Sequence, residues 1–277
     1  MAHIELTFKI SNIEEGEMLV ALLSELQFDG FQEDDGYLKA YIKEINFQYS
    51  EFNNLVEYKG IKYSKSIIKD ENWNADWESS FEPVSVFHPT NESLFAFVRA
   101  DFHSSNPNAA YDLLITPKMS FGTGHHATTL QMMQQMSGIE FTNKSVIDFG
   151  TGTGLLSILA EKMGASAILA IDNDDWSINN AKENIAANNC SKIEVLKAET
   201  CKYSTDKADI LLANINLNVI IENLDNILSS CKHPVKMLFS GILTVDETKI
   251  LPILAARGIN ILNVASNNNW LVIIGEI

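Results

Sequence analysis

The sequence has few cysteines and no long apolar run, and each shortage excludes a class of protein. Its three cysteines, Cys190, Cys201 and Cys231, form no C-x-x-C pair and are odd in number. This argues against a disulfide framework and against structural zinc, and it suits a reducing compartment. No apolar stretch approaches the roughly 18 to 20 residues of a membrane span, and the start has no basic, signal-like region. We therefore expect a cytoplasmic protein that does not enter a membrane.

Positive charge is also scarce. The chain has 20 lysines and arginines against 36 aspartates and glutamates, a net charge of −16, and its only arginines are Arg99 and Arg257. Such a surface repels a phosphate backbone, so we expect no direct binding of nucleic acid. The acidity either steers a basic partner or merely keeps the protein in solution, and both interpretations stay open.

Three glycines at alternate positions are the most informative feature that is present. Gly150, Gly152 and Gly154 follow a predicted buried strand at 145–149 and precede a predicted helix that begins at Leu155. Glycine allows the chain to turn with φ > 0 and leaves no Cβ between the backbone and a ligand. The pattern therefore predicts a nucleotide-binding turn, with a glycine-rich turn that binds nothing as the alternative.

The next strand strengthens the first interpretation. Residues 167–171 are uniformly apolar and end in Asp172, which lies 22 residues after Gly150, where an acidic group would bind ribose hydroxyls. Dinucleotide binding requires G-x-G-x-x-G, but the sixth position counted from Gly152 is Ser157. The pattern Asp-x-Gly-x-Gly-x-Gly resembles motif I of the class I S-adenosylmethionine methyltransferases instead.

The first 69 residues predict a small separate domain. Alternating or one-sided apolar residues indicate strands and helices in the order β-α-β-β-α-β, at 4–10, 14–27, 28–33, 37–43, 47–58 and 61–68. This order is typical of a ferredoxin-like α+β domain, which we interpret as a substrate-recognition module. Residues 70–82 follow as a predicted linker helix, because Trp73, Trp77 and Phe81 are spaced by four and share one face.

Residues 83–277 predict a Rossmann-like α/β domain. Strands alternate with helices from residue 145 onward, which indicates a mostly parallel sheet, and the two closing strands (259–265 and 270–276) would insert one antiparallel strand. The helix at 176–188 is expected to turn Ile178, Ala181, Ile185 and Ala186 inward. Ligands of such sheets bind at the carboxyl ends of the strands, and four candidate residues fall there: Gly150, Asp172, Glu199 and Asn214.

A polar loop at 115–129, with two glycines and two adjacent histidines, interrupts the pattern before a helix at 130–136. The histidines lack a nearby acid or cysteine, so we predict no metal. Either Thr128 or Thr129 caps the helix, or the loop folds over a ligand at the Gly150 turn, and both interpretations stay open. The loop Phe-Gly-Thr-Gly-His-His-Ala-Thr-Thr, motif I, Ile171-Asp172 and Ala213-Asn214-Ile215 together resemble one family closely, the ribosomal protein L11 methyltransferases of the PrmA type.

This resemblance implies a function, a cofactor and a set of contacts. It implies methyl transfer from S-adenosylmethionine to lysine or N-terminal amines of ribosomal protein L11, by a monomer whose small domain binds the substrate. Asn214 is the predicted catalytic residue, which would orient the neutral amine. The cofactor contacts carry over onto Thr129, Gly150, Asp172, Asn214, Phe121, Gly122 and Gly152.

Four alternatives stay open. His125 or His126 could act as a general base. A class I methyltransferase could act on another amine or amide, such as a protein glutamine, a nucleobase or a small molecule. A dehydrogenase is disfavoured by the missing third glycine of its motif, and a non-catalytic scaffold by the intact cofactor loop.

Overall fold

A computed structural model describes residues 3–28, 30–34, 36–59, 61–68, 81–116, 118, 120–201 and 207–277. The chain divides into two compact units, Met1–Asp76 and Trp77–Ile277. The predicted linker helix at 70–82 lies outside the described residues except for Phe81 and Glu82, which are not helical. The predicted boundaries at residues 69 and 82 therefore stay a prediction. Among the described residues, no helix combines the length and the apolar character needed to span a bilayer.

The first unit has the predicted ferredoxin-like order. Its elements are β1 His3–Lys9, α1 Ile13–Glu25, β2 Gly30–Asp34, β3 Tyr37–Lys43, α2 Tyr49–Lys59 and β4 Tyr63–Ile68. The strands form one sheet in the order β2-β3-β1-β4, and every neighbouring pair is antiparallel. Ile4, Leu6 and Phe8 alternate along β1 and are fully buried, so the predicted half-buried strand is confirmed.

The second unit contains two sheets. A small sheet has the order β5-β6-β7 and precedes the large one. Its strands are β5 Val84–Phe87, β6 Leu94–Arg99 and β7 Tyr111–Leu114. The sequence gives no readable periodicity at β7, because its four residues are of mixed polarity.

The large sheet has seven strands in the order β10-β9-β8-β11-β12-β14-β13. Its strands are β8 Ser145–Phe149, β9 Ala167–Asp172, β10 Ile193–Lys197, β11 Ala208–Asn214, β12 Cys231–Leu243, β13 Asn260–Asn267 and β14 Trp270–Glu276. β14 runs antiparallel between β12 and β13, and the remaining pairs are parallel, as predicted.

Five helices cover the two faces of this sheet: α3 Ala127–Met136, α4 Leu155–Lys162, α5 Asp175–Ala187, α6 Leu217–Ser229 and α7 Glu247–Ala256. One apolar core joins α3, α4 and α5 to one face, and a second core joins α6 and α7 to the other. Burial on both faces explains why β11 is apolar from Ile210 to Ala213. It also leaves the carboxyl ends of β8, β9, β10 and β11 as the place where polar side chains meet.

Candidate active site

The glycine turn connects β8 to α4 at the carboxyl end of the large sheet. The backbone N–H groups of Gly150 and Thr151 both donate to the carbonyl oxygen of Ile171, at 2.8 and 2.9 Å. The turn is thereby fixed to the end of the neighbouring strand β9. Gly154 forms the N-cap of α4, so the positive end of that helix lies at the same edge and favours a ligand with negative charge.

Gly152 sits where no larger residue fits. Its φ is +54°, and a Cβ built on it would lie 2.3 Å from the carbonyl oxygen of Phe121. Its N–H group donates to Oδ2 of Asp172 at 2.9 Å. Gly152 therefore contacts two neighbours at once: the loop at the carbonyl oxygen of Phe121 and the end of β9 at the carboxylate of Asp172. No side chain separates the turn from the loop.

Asp172 ends β9 with its carboxylate at the predicted position. Each carboxylate oxygen accepts one backbone N–H: Oδ2 from Gly152 at 2.9 Å and Oδ1 from Asp174 at 3.1 Å. A carboxylate oxygen can accept about two hydrogen bonds. Asp172 therefore keeps capacity for two further donors, such as the hydroxyl pair of a ribose.

A pocket of about 320 Å³ opens beside these groups. Five of the predicted site residues line it: Phe121, Gly150, Gly152, Asp172 and Asn214. Glu199, also predicted at a strand end, lines it too. The remaining lining residues, which the sequence did not single out, are Phe149, Asn173, Ser177, Ala198, Ile215, Asn216 and Val219. A volume of this size suits a small organic ligand.

Two of the predicted residues lie behind the pocket wall. Gly122 does not line the pocket, and its carbonyl oxygen accepts the hydroxyl hydrogen of Thr153 at 2.7 Å. Thr129 is buried on α3, and its Oγ1 accepts a hydrogen bond from Nδ2 of Asn214 at 3.2 Å. Thr129 and Asn214, both predicted as cofactor contacts, are thus bonded to each other, but only Asn214 lines the pocket.

Asn214 ends β11 and is 8% exposed. Its Nδ2 is used by Thr129, and its Oδ1 has no hydrogen-bond partner among the described residues although it is buried. An unpaired buried acceptor costs about 1–3 kcal/mol. A ligand N–H group at this position would remove that cost, so Asn214 has the chemistry of a group that orients an amine.

Ile215 is held between two glycines. A Cβ on Gly150 would lie 2.1 Å from Cγ2 of Ile215, and a Cβ on Gly241 would lie 2.3 Å from the carbonyl oxygen of Ile215. The N–H of Ile215 also donates to the carbonyl oxygen of Ser240 at 3.2 Å. These contacts fix the backbone that follows Asn214, because neither neighbour can grow without displacing it.

This geometry agrees with what comparison with known proteins finds. The family described as "Ribosomal protein L11 methyltransferase (PrmA)" matches residues 7–277. The chain belongs to this family. The fold resemblance predicted from motif I, the loop and the strand ends is thereby confirmed.

Relatives in the L11 methyltransferase family match almost the whole chain. A ribosomal protein L11 methyltransferase of Phocaeicola vulgatus is 33% identical over 282 residues, covering 99% of this chain and 98% of that protein. Another from Chlorobaculum tepidum is 36% identical and covers 88% of this chain and 86% of that protein. The crystal structure of ribosomal protein L11 methylase from Lactobacillus delbrueckii subsp. bulgaricus matches with a TM-score of 0.62 and 27% identity, over 68% of this chain and 98% of that chain.

The pocket fits S-adenosylmethionine, the methyl donor of the L11 methyltransferase family. Gly152 lets the turn approach the loop at Phe121 with no side chain between them, Asp172 offers acceptors for a ribose, and Asn214 has an unpaired oxygen. These features match a ligand that has a ribose, a charged amino-acid end and a reactive centre. The individual contacts to the cofactor stay a prediction.

The two loop histidines are both engaged. Nε2 of His125 lies 2.9 Å from the carbonyl oxygen of Glu82, and its Nδ1 lies 3.2 Å from Oγ1 of Thr123. His126 is the N-cap of α3, because its Nδ1 accepts the N–H of Thr128 at 3.3 Å. The prediction that Thr128 or Thr129 caps this helix is therefore wrong. Nε2 of His125 is thus engaged by a carbonyl and Nδ1 of His126 by an N–H, so neither of these two nitrogens is free to take a proton from a substrate.

Two buried hydroxyls and an acid support the glycine turn from below, and sequence reasoning missed this group. Asp148 is fully buried in β8, and its Oδ2 accepts the hydroxyls of Thr151 and Ser157, each at 2.7 Å. Burial, which outweighs the lowering effect of the two hydroxyl bonds and is aided by the charge of Asp172, raises the pKa of Asp148 to about 6. The signal that could have found this group is an acid inside an otherwise apolar strand.

Within the described ranges, no three His, Cys, Asp or Glu side chains gather to hold a metal ion.

Proposed function

We propose that the protein transfers methyl groups from S-adenosylmethionine to amino groups of ribosomal protein L11, at lysine side chains, the N-terminal α-amine or both. The observation that carries the acceptor chemistry is the unpaired Oδ1 of Asn214 beside the pocket. The names of relatives that match nearly the whole chain support the choice of substrate protein.

The pocket residues would divide the work of holding the cofactor. The carboxylate of Asp172 would accept the ribose hydroxyls, and the absence of side chains at Gly150 and Gly152 would let Ile215 and Phe121 pack closely on the turn beside the ligand. Phe121 would cover the pocket from the loop. When bound, S-adenosylmethionine supplies an electrophilic methyl group on a sulfonium centre.

An amine accepts a methyl group only through a free lone pair, so it must arrive neutral. A lysine with a pKa of about 10.4 pays about 4 kcal/mol to be neutral near pH 7.4, whereas an α-amine near 7.7 pays a few tenths. Water can remove this proton before binding, so the site needs alignment more than it needs a base. Asn214 would provide it: Oδ1 accepts one N–H of the amine while Thr129 keeps the amide from rotating.

The small unit would recognise the substrate protein. Residues 1–69 carry seven lysines against twelve carboxylates and no arginine, which supports binding of a protein rather than of nucleic acid. The unit has its own buried core. We include in the proposal that the protein acts as a monomer in the cytoplasm, where its three free thiols would stay reduced.

The test uses methyl-labelled S-adenosylmethionine and total ribosomal proteins from a strain that lacks this methylation. We expect one labelled protein, with the mass of L11, and mass spectrometry of its peptides would assign the label to lysines or to the N-terminus. Ribosomal proteins from a methylation-competent strain serve as the control, because their sites are already occupied. Label on a different protein, or on RNA, would overturn the proposal.

A further inference from the structure

Helix α5 carries three asparagines on its buried side. Asn180, Asn184 and Asn188 are spaced by four, share one helical stripe, and are 1%, 0% and 6% exposed. The sequence predicted Ala186 on the inward side, but Ala186 is exposed. Buried amides are costly unless they are hydrogen-bonded, so each of them must find a partner inside the fold.

Asn188 binds the end of the small sheet. Its Oδ1 accepts the N–H of Leu114 at 3.0 Å, and its Nδ2 donates to the carbonyl oxygen of Leu114 at 2.6 Å. The side chain thereby satisfies both backbone groups of the last residue of β7. These bonds are local, since Leu114 is not among the residues that line the pocket.

Asn184 makes a different connection. Its Oδ1 accepts the N–H of Thr116 at 2.9 Å, and its Nδ2 donates to the carbonyl oxygen of Thr153 at 2.8 Å. Thr116 lies at the start of the polar loop, and Thr153 lies in the glycine turn. One buried amide therefore joins the base of the loop to the turn against which a cofactor would lie.

Thr153 extends this connection to the covering part of the loop. It is fully buried, its N–H donates to the carbonyl oxygen of Phe121 at 3.0 Å, and its hydroxyl donates to the carbonyl oxygen of Gly122 at 2.7 Å. The N–H, the hydroxyl and the carbonyl of Thr153 are thus all hydrogen-bonded, to Phe121, Gly122 and Asn184. Phe121 itself lines the pocket and is 54% exposed, so these backbone bonds hold its position.

We propose that Asn184 and Thr153 are positioning residues for cofactor binding, which hold the loop at Phe121–Gly122 against the glycine turn. The inference rests on the proposed function for the identity of the ligand. Neither residue lines the pocket, so both act through Phe121 and the turn. When these bonds are broken, Phe121 is no longer held over the pocket, and the cofactor then dissociates faster.

The test compares Asn184→Ala with Asn188→Ala in the full-length chain. Both variants lose a buried asparagine of α5 or its C-cap whose side chain binds backbone groups, with two such bonds for Asn184 and three for Asn188, but only Asn184 reaches the glycine turn. We expect both to lower the melting temperature. Titration calorimetry with S-adenosylmethionine and with S-adenosylhomocysteine should show about tenfold weaker binding for Asn184→Ala, the factor expected from losing a hydrogen bond. Asn188→Ala should bind within about twofold of the natural protein, because its bonds end at Leu114.

A second pair keeps the inference testable if Asn184→Ala does not fold. Thr153→Val preserves shape but removes the hydroxyl bond to Gly122, whereas Thr153→Ser preserves the hydroxyl. We expect weaker binding for the valine variant and recovery for the serine variant. Equal dissociation constants for Asn184→Ala and Asn188→Ala, or for the valine and serine variants, would reduce these residues to scaffolding. A natural protein that binds the cofactor but leaves L11 unlabelled would overturn only the proposed function.

Discussion

Replacing Asp148 with asparagine should change how stability depends on pH. The carboxyl group lies under the glycine turn with no exposed surface, and one of its oxygens, Oδ1, has no partner among the described residues. Burial is the largest cause that raises its pKa from 3.8 to about 6. The asparagine side chain has nearly the same shape, can accept the hydroxyls of Thr151 and Ser157, and does not ionise.

The sign follows from which state loses the proton first. Below about pH 3.8 the group is neutral in the folded and the unfolded chain, so burial costs nothing through charge. Between about 3.8 and 6 the unfolded chain ionises while the folded chain keeps its proton, and the free energy of unfolding falls as pH rises. One pKa unit corresponds to about 1.4 kcal/mol, so the full loss above the folded pKa is about 3 kcal/mol.

The assay is urea denaturation of the natural protein and of Asp148→Asn at several pH values from 4 to 7.5, followed by a probe of the larger unit. Other titrating groups contribute equally to both proteins, so the informative quantity is the difference between their unfolding free energies. We expect this difference to shift by about 2.5 kcal/mol in favour of the variant between pH 4 and 7.5, with most of the change below pH 6. A difference that does not change with pH would refute the assignment of Asp148 as a buried neutral acid below its folded pKa.

Three further predictions concern the site. Asp172→Ala should weaken cofactor binding by about 1.5–3 kcal/mol, as expected for hydrogen bonds to a charged group, and calorimetry giving the natural affinity would contradict the ribose role. Asn214→Ala should lower the rate of the chemical step by about 10² to 10³ and affect cofactor binding less, and single-turnover kinetics at saturating cofactor measure this directly. A near-normal rate would leave Asn214 as a turn residue. Deletion of residues 1–69 should preserve cofactor binding and abolish labelling of L11, and labelling that persists would assign the small unit another role.

The sequence predicted those strands and helices whose apolar pattern fits only one type of secondary structure. Apolar strands such as β8 and β9 are buried on both faces, so their sequence is unambiguous, and the acid at the end of β9 follows from that register. The reasoning failed where polar residues do structural work inside the fold. Asn184 and Asn188 appear solvent-exposed in a helical pattern, because nothing local shows that a strand end and a loop supply their partners. His126 was missed as an N-cap because serine, threonine, aspartate and asparagine are the usual residues there.

The glycines on either side of Ile215 have a consequence for changing the acceptor specificity of this fold. Gly150 belongs to the turn on the methyl-donor side, and Gly241 belongs to the strand next to Asn214, yet both press on the same aliphatic residue. A larger side chain at position 215 would collide with the turn at Gly150, whereas Gly241 packs on the backbone of Ile215; a smaller side chain would leave a void, and Ile→Val changes alone cost about 0.5–1.5 kcal/mol. The glycine turn and the strand that carries Gly241 therefore share one fixed contact at Ile215, and a redesign of the proposed acceptor side would have to keep Ile215 and vary Asn214, Asn216 and the residues beyond them.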